Sequence, residues 1–140
     1  MVIQRWQSVY LLLGVIAMIL VCIRPFGVIT NAEGIIVSEL TSITYPVLLT
    51  LNILTGVLLL IDIFLYKNIK FQRMIAAVCI LLMIGSIAST AVILTTVDDM
   101  WQVTWFGTPI GMACALICTL LARHRMAQDE KLLKSYDRLR

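Results

Sequence analysis

One acidic side chain in the middle of the chain has the clearest potential for chemistry. Asp62 lies in an apolar stretch and shares a helical face with Thr55, while Asn52 lies near that face. If the stretch spans a membrane, a charge near its centre costs roughly 2.5–3.5 kcal/mol, and such acids mark proton or ion paths by default. Asp62 also lies close to the end of the stretch, so it either reaches interfacial water or pairs with Lys67 or Arg73. We favour structural pairing, with transport as the alternative.

Four cysteines and one histidine are the other side chains that suit a metal or haem. The cysteines lie in apolar stretches without a carboxylate or imidazole nearby, and buried free cysteine behaves as a small hydrophobe. Zinc requires four ligands at fixed spacing, and haem requires axial ligands. His124 stands between Arg123 and Arg125, where a basic anchor at the membrane edge is the simpler interpretation. We expect no metal, no cofactor and no enzymatic activity. The cysteines are Cys22, Cys79, Cys114 and Cys118.

The composition places these residues in a membrane protein. The chain is 61% hydrophobic and 14% charged, with a mean hydropathy of +0.98, whereas soluble domains are about 45–50% apolar and about 25% charged. A spanning helix needs roughly 20 apolar residues. Four stretches meet or approach that length, which predicts an all-α membrane four-helix bundle. The predicted helices cover about 6–23, 43–66, 74–97 and 106–122.

The basic residues are distributed unevenly among the connections between these helices. Ten of the eleven lie before the first span, between the second and third, or after the fourth, and only Arg24 accompanies the acids of the other connections. Because cytoplasmic connections collect Lys and Arg, both termini are predicted to be cytoplasmic, in a bacterial inner membrane. A cleaved signal peptide is the alternative for the first span. Arg24 and Pro25 stand where its cleavage region would be, so we expect the span to be retained.

The two outer connections carry different signals. In the first, a turn-like segment at 30–34 separates the β-branched runs 28–29 and 35–37, which predicts a short β-hairpin. A lone hairpin is marginally stable, so it must lie on the helices or on a partner. The second connection contains aromatic residues that we interpret as interfacial anchors of helix ends. Stacking on a carbohydrate or quinone is the alternative. These aromatics are Trp101, Trp105 and Phe106.

Small residues at four-residue spacing predict close helix contacts. In lipid, such residues allow helix backbones to approach each other. The fourth span has Gly107, Gly111 and Ala115 at this spacing, and the third has Gly85 and Ser89. The pattern leaves open whether the contacts lie within one bundle or between protomers.

The tail, residues 123–140, predicts a cytoplasmic amphipathic helix. Its charges lie opposite an apolar stripe, so the segment lies on the membrane surface, packs under the bundle or holds a partner helix. Its net charge of +3, from six basic and three acidic residues, favours anionic lipid. The interleaved acids argue against nucleic-acid binding. The stripe consists of Leu132, Leu133, Tyr136 and Leu139.

Both ends of the chain resemble the signatures of a known family. The opening IQRWQSVYLLL, at 3–13, and the ending DEKLLKSYDRLR, at 129–140, resemble a bacterial family of short four-span proteins classed as a domain of unknown function. The likeness covers the whole chain and is weakest in the middle. Trp6 stands where the family favours an aliphatic residue. The resemblance implies an inner-membrane protein of a Gram-negative cell and adds no site residue.

Taken together, these patterns predict a non-enzymatic structural or accessory membrane component that acts through its tail. The alternative is a small transporter or channel subunit that uses Asp62 and Asn52. The two hypotheses differ in whether these side chains converge on a wet cavity or are sealed against neighbours. Apart from the lipid bilayer, the expected partner is another protein or a second copy of this chain. We expect no nucleic acid and no small-molecule ligand.

Overall fold

Four helices and three short strands make up the protein. The computed structural model describes residues 2–31, 33–96, 102–105 and 108–138. Each helix is long and apolar enough to cross a membrane, which confirms the predicted all-α membrane bundle. In chain order the elements are α1 (Val2–Ile23), β1 (Pro25–Thr30), β2 (Ile36–Thr41), α2 (Pro46–Phe64), α3 (Ile69–Thr95), β3 (Gln102–Trp105) and α4 (Thr108–Arg138).

The helices form a closed ring in which each one packs against two neighbours. α1 contacts α2 and α4, and α3 contacts the other sides of α2 and α4. Fully buried Leu11, Leu59 and Ala115 belong to the main core cluster inside the ring. Many Leu, Ile and Val side chains instead face outward. Such an exterior suits lipid, since lipid tails solvate apolar side chains as well as a protein core does.

The bounds of α2 and α3 differ from the predicted spans. α2 begins at Pro46, because proline suits the first helical turn, where its missing N–H needs no partner. α3 begins at Ile69, so Lys70 and Arg73 lie within the helix rather than in a connection. Residues 69–74 contain no Gly or Pro, so nothing prevents the helix from starting before the predicted span. Long basic side chains can also carry their charges from a helix end into water.

The predicted hairpin is present, and a third strand joins it. β1 pairs antiparallel with both β2 and β3, which gives the strand order β2-β1-β3. Gly34 in the hairpin turn has a φ of 76°, a conformation that glycine adopts without steric cost. The third strand supplies pairing that a lone hairpin lacks.

The third strand changes the interpretation of the connection between α3 and α4. Residues 102–105, predicted as part of an aromatic-anchored loop, form β3, in which Trp105 is paired with Gly27. Trp101 and Phe106 lie outside the described residues. The strand is only four residues long and pairs with a segment more than 70 positions earlier, so local periodicity does not reveal it.

A second core cluster attaches the sheet to the helices. Phe26 of β1 is fully buried, and its ring centroid lies 6.2 Å from that of Tyr45. The Thr108 hydroxyl at the start of α4 donates a hydrogen bond of 2.6 Å to the Pro25 carbonyl. Sheet and helix ends are therefore packed together. The buried members of this cluster are Val21, Phe26, Leu40, Leu48 and Met112.

Helix α4 continues through the segment predicted as a separate tail. Its 31 residues run without a break to Arg138, a length of about 46 Å, which exceeds the roughly 30 Å hydrocarbon core of a bilayer. Met126, Asp129 and Glu130 are buried, so the first turns beyond the predicted span still pack against the bundle. The predicted tail is the end of α4.

The small residues predicted to mediate helix contacts are placed differently from one another. A Cβ atom added to Gly111 would lie 3.2 Å from Cγ2 of Val21, so α1 and α4 approach closely there. Ala115, one turn later, is fully buried. A Cβ added to Gly85 would meet nothing within 4 Å, and Ser89 is half-buried. Gly107 lies outside the described residues.

We expect the close approach at Gly111 to limit side-chain size. Gly111→Leu should lower thermal stability in detergent by about 1–3 kcal/mol, because the new side chain overpacks the α1–α4 contact. Gly85→Leu is the matched control and should cause no loss, since its added atoms enter open space. Equal melting profiles for the two variants would contradict the described contact.

Candidate functional site

The three polar residues predicted within the second span all face the bundle interior. Asn52, Thr55 and Asp62 have 1%, 0% and 0% of their surface exposed. They lie on one face of α2, together with fully buried Leu59. Their shared face agrees with the helical spacing in the sequence, but their surroundings differ.

Asn52 is held by two hydroxyl groups from other elements. Its Nδ2 donates to Oγ of Ser42 at 3.3 Å, and Oγ of Ser86 donates to its Oδ1 at 2.6 Å. Ser42 also donates to the Val21 carbonyl at 3.3 Å. This network joins α1, α2, α3 and the end of the sheet, and we refer to it as the outer network because it lies at the sheet end of the bundle. Both functional atoms of the Asn52 amide therefore have partners within the chain.

Asp62 has no comparable partner. Neither of its carboxylate oxygens accepts a hydrogen bond within the described residues, although both are buried. The predicted pairing with Lys67 or Arg73 is wrong. Arg73 instead forms an ion pair with Glu130, with Nη1 lying 2.8 Å from Oε2. The reason is that α4 extends beyond the membrane span and brings Glu130 alongside the first turns of α3.

Gln72 is the functional neighbour of Asp62 that the sequence did not reveal. It is 1% exposed, and its Nε2 donates to the main-chain carbonyl of Asp62 at 3.1 Å. Its Oε1 is buried without a partner. The Gln72 side chain thus adds a second donor to the Asp62 carbonyl, which also accepts the Leu65 main-chain N–H at 3.2 Å, and it joins α3 to the carboxyl end of α2. A single glutamine near a helix start carries no signal for this role.

A second polar cluster lies where α4 leaves the bundle. Nε2 of Gln7 on α1 donates to Oδ2 of Asp129, and both side chains are buried. Glu130, the next residue on α4, lies 2.8 Å from Arg73 and 2.9 Å from Lys134. The Gln7–Asp129 and Arg73–Glu130 contacts form a clamp that joins α1 and α3 to the carboxyl-terminal part of α4. We refer to them below as the α4 clamp.

The two predicted polar positions do not converge. Asn52 and Asp62 are ten residues apart on α2, which separates them by about 15 Å along the helix axis. Between them, the Thr55 hydroxyl donates to the Leu51 carbonyl of its own helix at 2.7 Å, and Leu59 is fully buried. The outer network and the Asp62 site are therefore separate, with apolar packing between them.

The stripe predicted on the tail is exposed where the structure describes it. Leu132 and Leu133 are 47% and 54% exposed, beyond the α4 clamp. Tyr136 lies in α4, but its side chain is outside the description, as is Leu139 altogether. The described surface of the stripe is therefore the Leu132–Leu133 pair.

The cysteines and histidine occupy unremarkable positions. All four cysteines are free, and Cys79 is the buried one. His124 is exposed and bonds Gln128 one turn later, with their Nε2 atoms 3.0 Å apart. Within the described ranges, no three His, Cys, Asp or Glu side chains are grouped to hold a metal ion.

Four helices that are long and apolar enough to cross a membrane define a multi-pass membrane protein. The chain belongs to the family described as domain of unknown function DUF4293, whose model matches residues 3–139. The match agrees with the resemblance at the two ends of the sequence. No curated protein and no solved structure matches the chain.

The outer network gives a direct prediction for Ser86. Ser86→Ala should cost about 1–3 kcal/mol of stability, because it leaves the buried Asn52 Oδ1 without its donor. Ser89→Ala is the matched control, since the Ser89 hydroxyl bonds only the Gly85 carbonyl of its own helix. Thermal unfolding in detergent measures both. A Ser86→Ala variant as stable as Ser89→Ala would show that the network contributes nothing.

Proposed function

We propose that the protein is a non-enzymatic accessory component of a bacterial inner membrane, and that the end of α4 is its docking element for a partner protein. The observation that carries the proposal is the continuity of α4. The helix leaves the membrane without a break, and its exposed Leu132 and Leu133 follow directly after the α4 clamp. The bundle thereby holds an apolar pair in a fixed position outside the membrane.

The geometry favours a protein partner over the membrane surface. An amphipathic helix that lies in the membrane interface runs parallel to the bilayer. A spanning helix must therefore bend sharply before it can lie there, and such bends come from Pro, Gly or an interrupted hydrogen-bond ladder. α4 contains no interior break between Thr108 and Arg138. Its end therefore projects from the bundle.

The charges near the exposed pair indicate the chemistry of that partner. Lys131 and Lys134 flank Leu132 and Leu133 in the sequence, and the oppositely charged Asp137 and Arg138 follow one turn later. Glu130 already pairs with Lys134 and Arg73. A helix with an apolar stripe bordered by acidic residues complements this surface, because charge complementarity orients partners and suppresses incorrect ones.

The arrangement of the buried polar groups supports an accessory role over a transporter or channel. The Asn52 amide is occupied by Ser42 and Ser86, and apolar packing separates it from Asp62. A conducting path needs polar groups that follow one another through the membrane. The two positions with that potential are instead separated by Leu59.

The proposed orientation is tested by labelling. Glu33→Cys should react with an impermeant thiol reagent in intact cells, because the hairpin turn is predicted to lie outside. Lys70→Cys, at the start of α3, should react only after the membrane is permeabilised. Wild-type protein provides the background from the four native cysteines. Reaction of Lys70→Cys in intact cells would reverse the proposed orientation.

The docking role is tested by placing one charge at two neighbouring positions. Leu133→Glu should abolish complementation of a deletion phenotype, because it puts an acid into the apolar contact. Ser135→Glu adds the same charge at another exposed position of α4 and should complement fully. Protein level and melting temperature must match wild type for both. Full complementation by Leu133→Glu would contradict the docking role.

A further inference from the structure

The Asp62 carboxyl group is the one buried acid that the described bundle leaves without a partner. Asp129 receives the Gln7 amide, and Glu130 receives Arg73 and Lys134. Asp62 is fully buried, yet neither carboxylate oxygen accepts a hydrogen bond. Burying an ionised carboxylate without a counter-charge costs several kcal/mol, and more than a neutral polar group does. The free energy of the folded bundle therefore depends on whether the Asp62 carboxyl group is protonated.

The position of Asp62 within α2 is a second reason why its ionised form is disfavoured. It lies two residues before the end of the helix at Phe64, in its last turn. The carboxyl end of a helix carries a partial negative charge, which disfavours a nearby anion. Both burial and the helix dipole thus act against the ionised form, and no described cation offsets them.

The neighbouring helices supply no neutralising charge. Cys79 on α3 lies near enough to Asp62 to interact with it electrostatically, and a thiolate there would add negative charge. Arg73, also on α3, is paired with Glu130 of α4. Asp129 of α4 is bonded by Gln7 of α1. None of these groups compensates an ionised Asp62.

Gln72 makes the site specific for a hydrogen-bond donor. Its Nε2 is fixed on the Asp62 main-chain carbonyl at 3.1 Å, which holds the amide beside that residue. Its Oε1 is a buried acceptor without a donor. The two oxygens of Asp62 are also acceptors. One proton on Asp62 removes the charge and turns one of its buried acceptor oxygens into a hydrogen-bond donor.

We infer that Asp62 and Gln72 form a proton-binding site at the inner end of the bundle, with Asp62 neutral when the bundle is folded. The proton comes from water and adds to one carboxylate oxygen, which then becomes a hydroxyl donor. Leu59 and the occupied Asn52 network separate the site from the outer side. The site therefore holds a proton without belonging to a path across the membrane. This inference is independent of the proposed docking role.

Infrared spectroscopy of the purified protein in nanodiscs tests the inference directly. At neutral pH the wild type should show the C=O stretch of a protonated carboxyl group. Asp62→Asn should remove this band, and Asp62→Glu should shift its frequency. Asp129→Asn is the matched control and should leave the band in place. If Asp62→Asn lowers the yield, Asp62→Glu still assigns the band.

Thermal unfolding gives an independent readout. Asp62→Asn keeps a neutral group of nearly equal size that can both donate and accept, so at acidic pH it should melt with wild type. The unfolded carboxyl group ionises at about pH 4 whereas folded Asp62 keeps its proton, so the melting temperature of wild type should fall below that of Asp62→Asn as the pH rises from there until folded Asp62 ionises. A wild type without a protonated carboxyl band, or a band unchanged in both Asp62 variants, would overturn the inference. Parallel melting of wild type and Asp62→Asn at every pH would also overturn it.

Discussion

Polar groups inside a bilayer have no water to bond, and the interior of this protein is organised by which of these groups find a partner within the chain. At the sheet end of the bundle, Asn52 bonds both Ser42 and Ser86. At the opposite end, Gln7 bonds Asp129 and Arg73 forms an ion pair with Glu130. The ring of helices depends on these cross-helix bonds, because apolar side chains gain little by leaving lipid for another helix.

Close packing complements these bonds at the α1–α4 contact. Gly111 admits Val21, and Gly14 lies against Leu59 and Thr119. Small residues at these positions bring the helix backbones together and increase van der Waals contact, which is the main attraction available between helices in lipid. The outer network joins α2 to α3, the small-residue contacts join α1 to α2 and α4, and the ion pair of Arg73 with Glu130 joins α3 to α4. Together they account for the closed ring.

The sequence predicts well those features that depend on local composition. The four spans follow from the length of the apolar stretches, and the hairpin follows from a turn at Gly34 between β-branched runs. The buried face of α2 follows from the spacing of Asn52, Thr55 and Asp62. Each of these patterns repeats within one element, so neighbouring residues are sufficient to show it.

Features that depend on distant partners were missed or wrongly assigned. β3 is recognised only through its pairing with β1. Gln72 has a role only because α3 places it against the end of α2. The sequence predicts that Lys67 or Arg73 pairs with Asp62, yet neither does, and Arg73 forms an ion pair with Glu130 on a helix that reaches it only because α4 continues past the span. In each case the deciding contact joins residues from separate elements.

The continuity of α4 has a mechanical consequence. At one end, Thr108 is bonded to the Pro25 carbonyl beside the sheet. At the other end, Leu132 and Leu133 are exposed and follow Asp129 and Glu130, which bond α1 and α3. An unbroken helix is stiff along its length, so a tilt of the sheet that moves the start of α4 should also displace the exposed leucines near its other end. One continuous helix thus couples the position of the sheet to the position of these leucines.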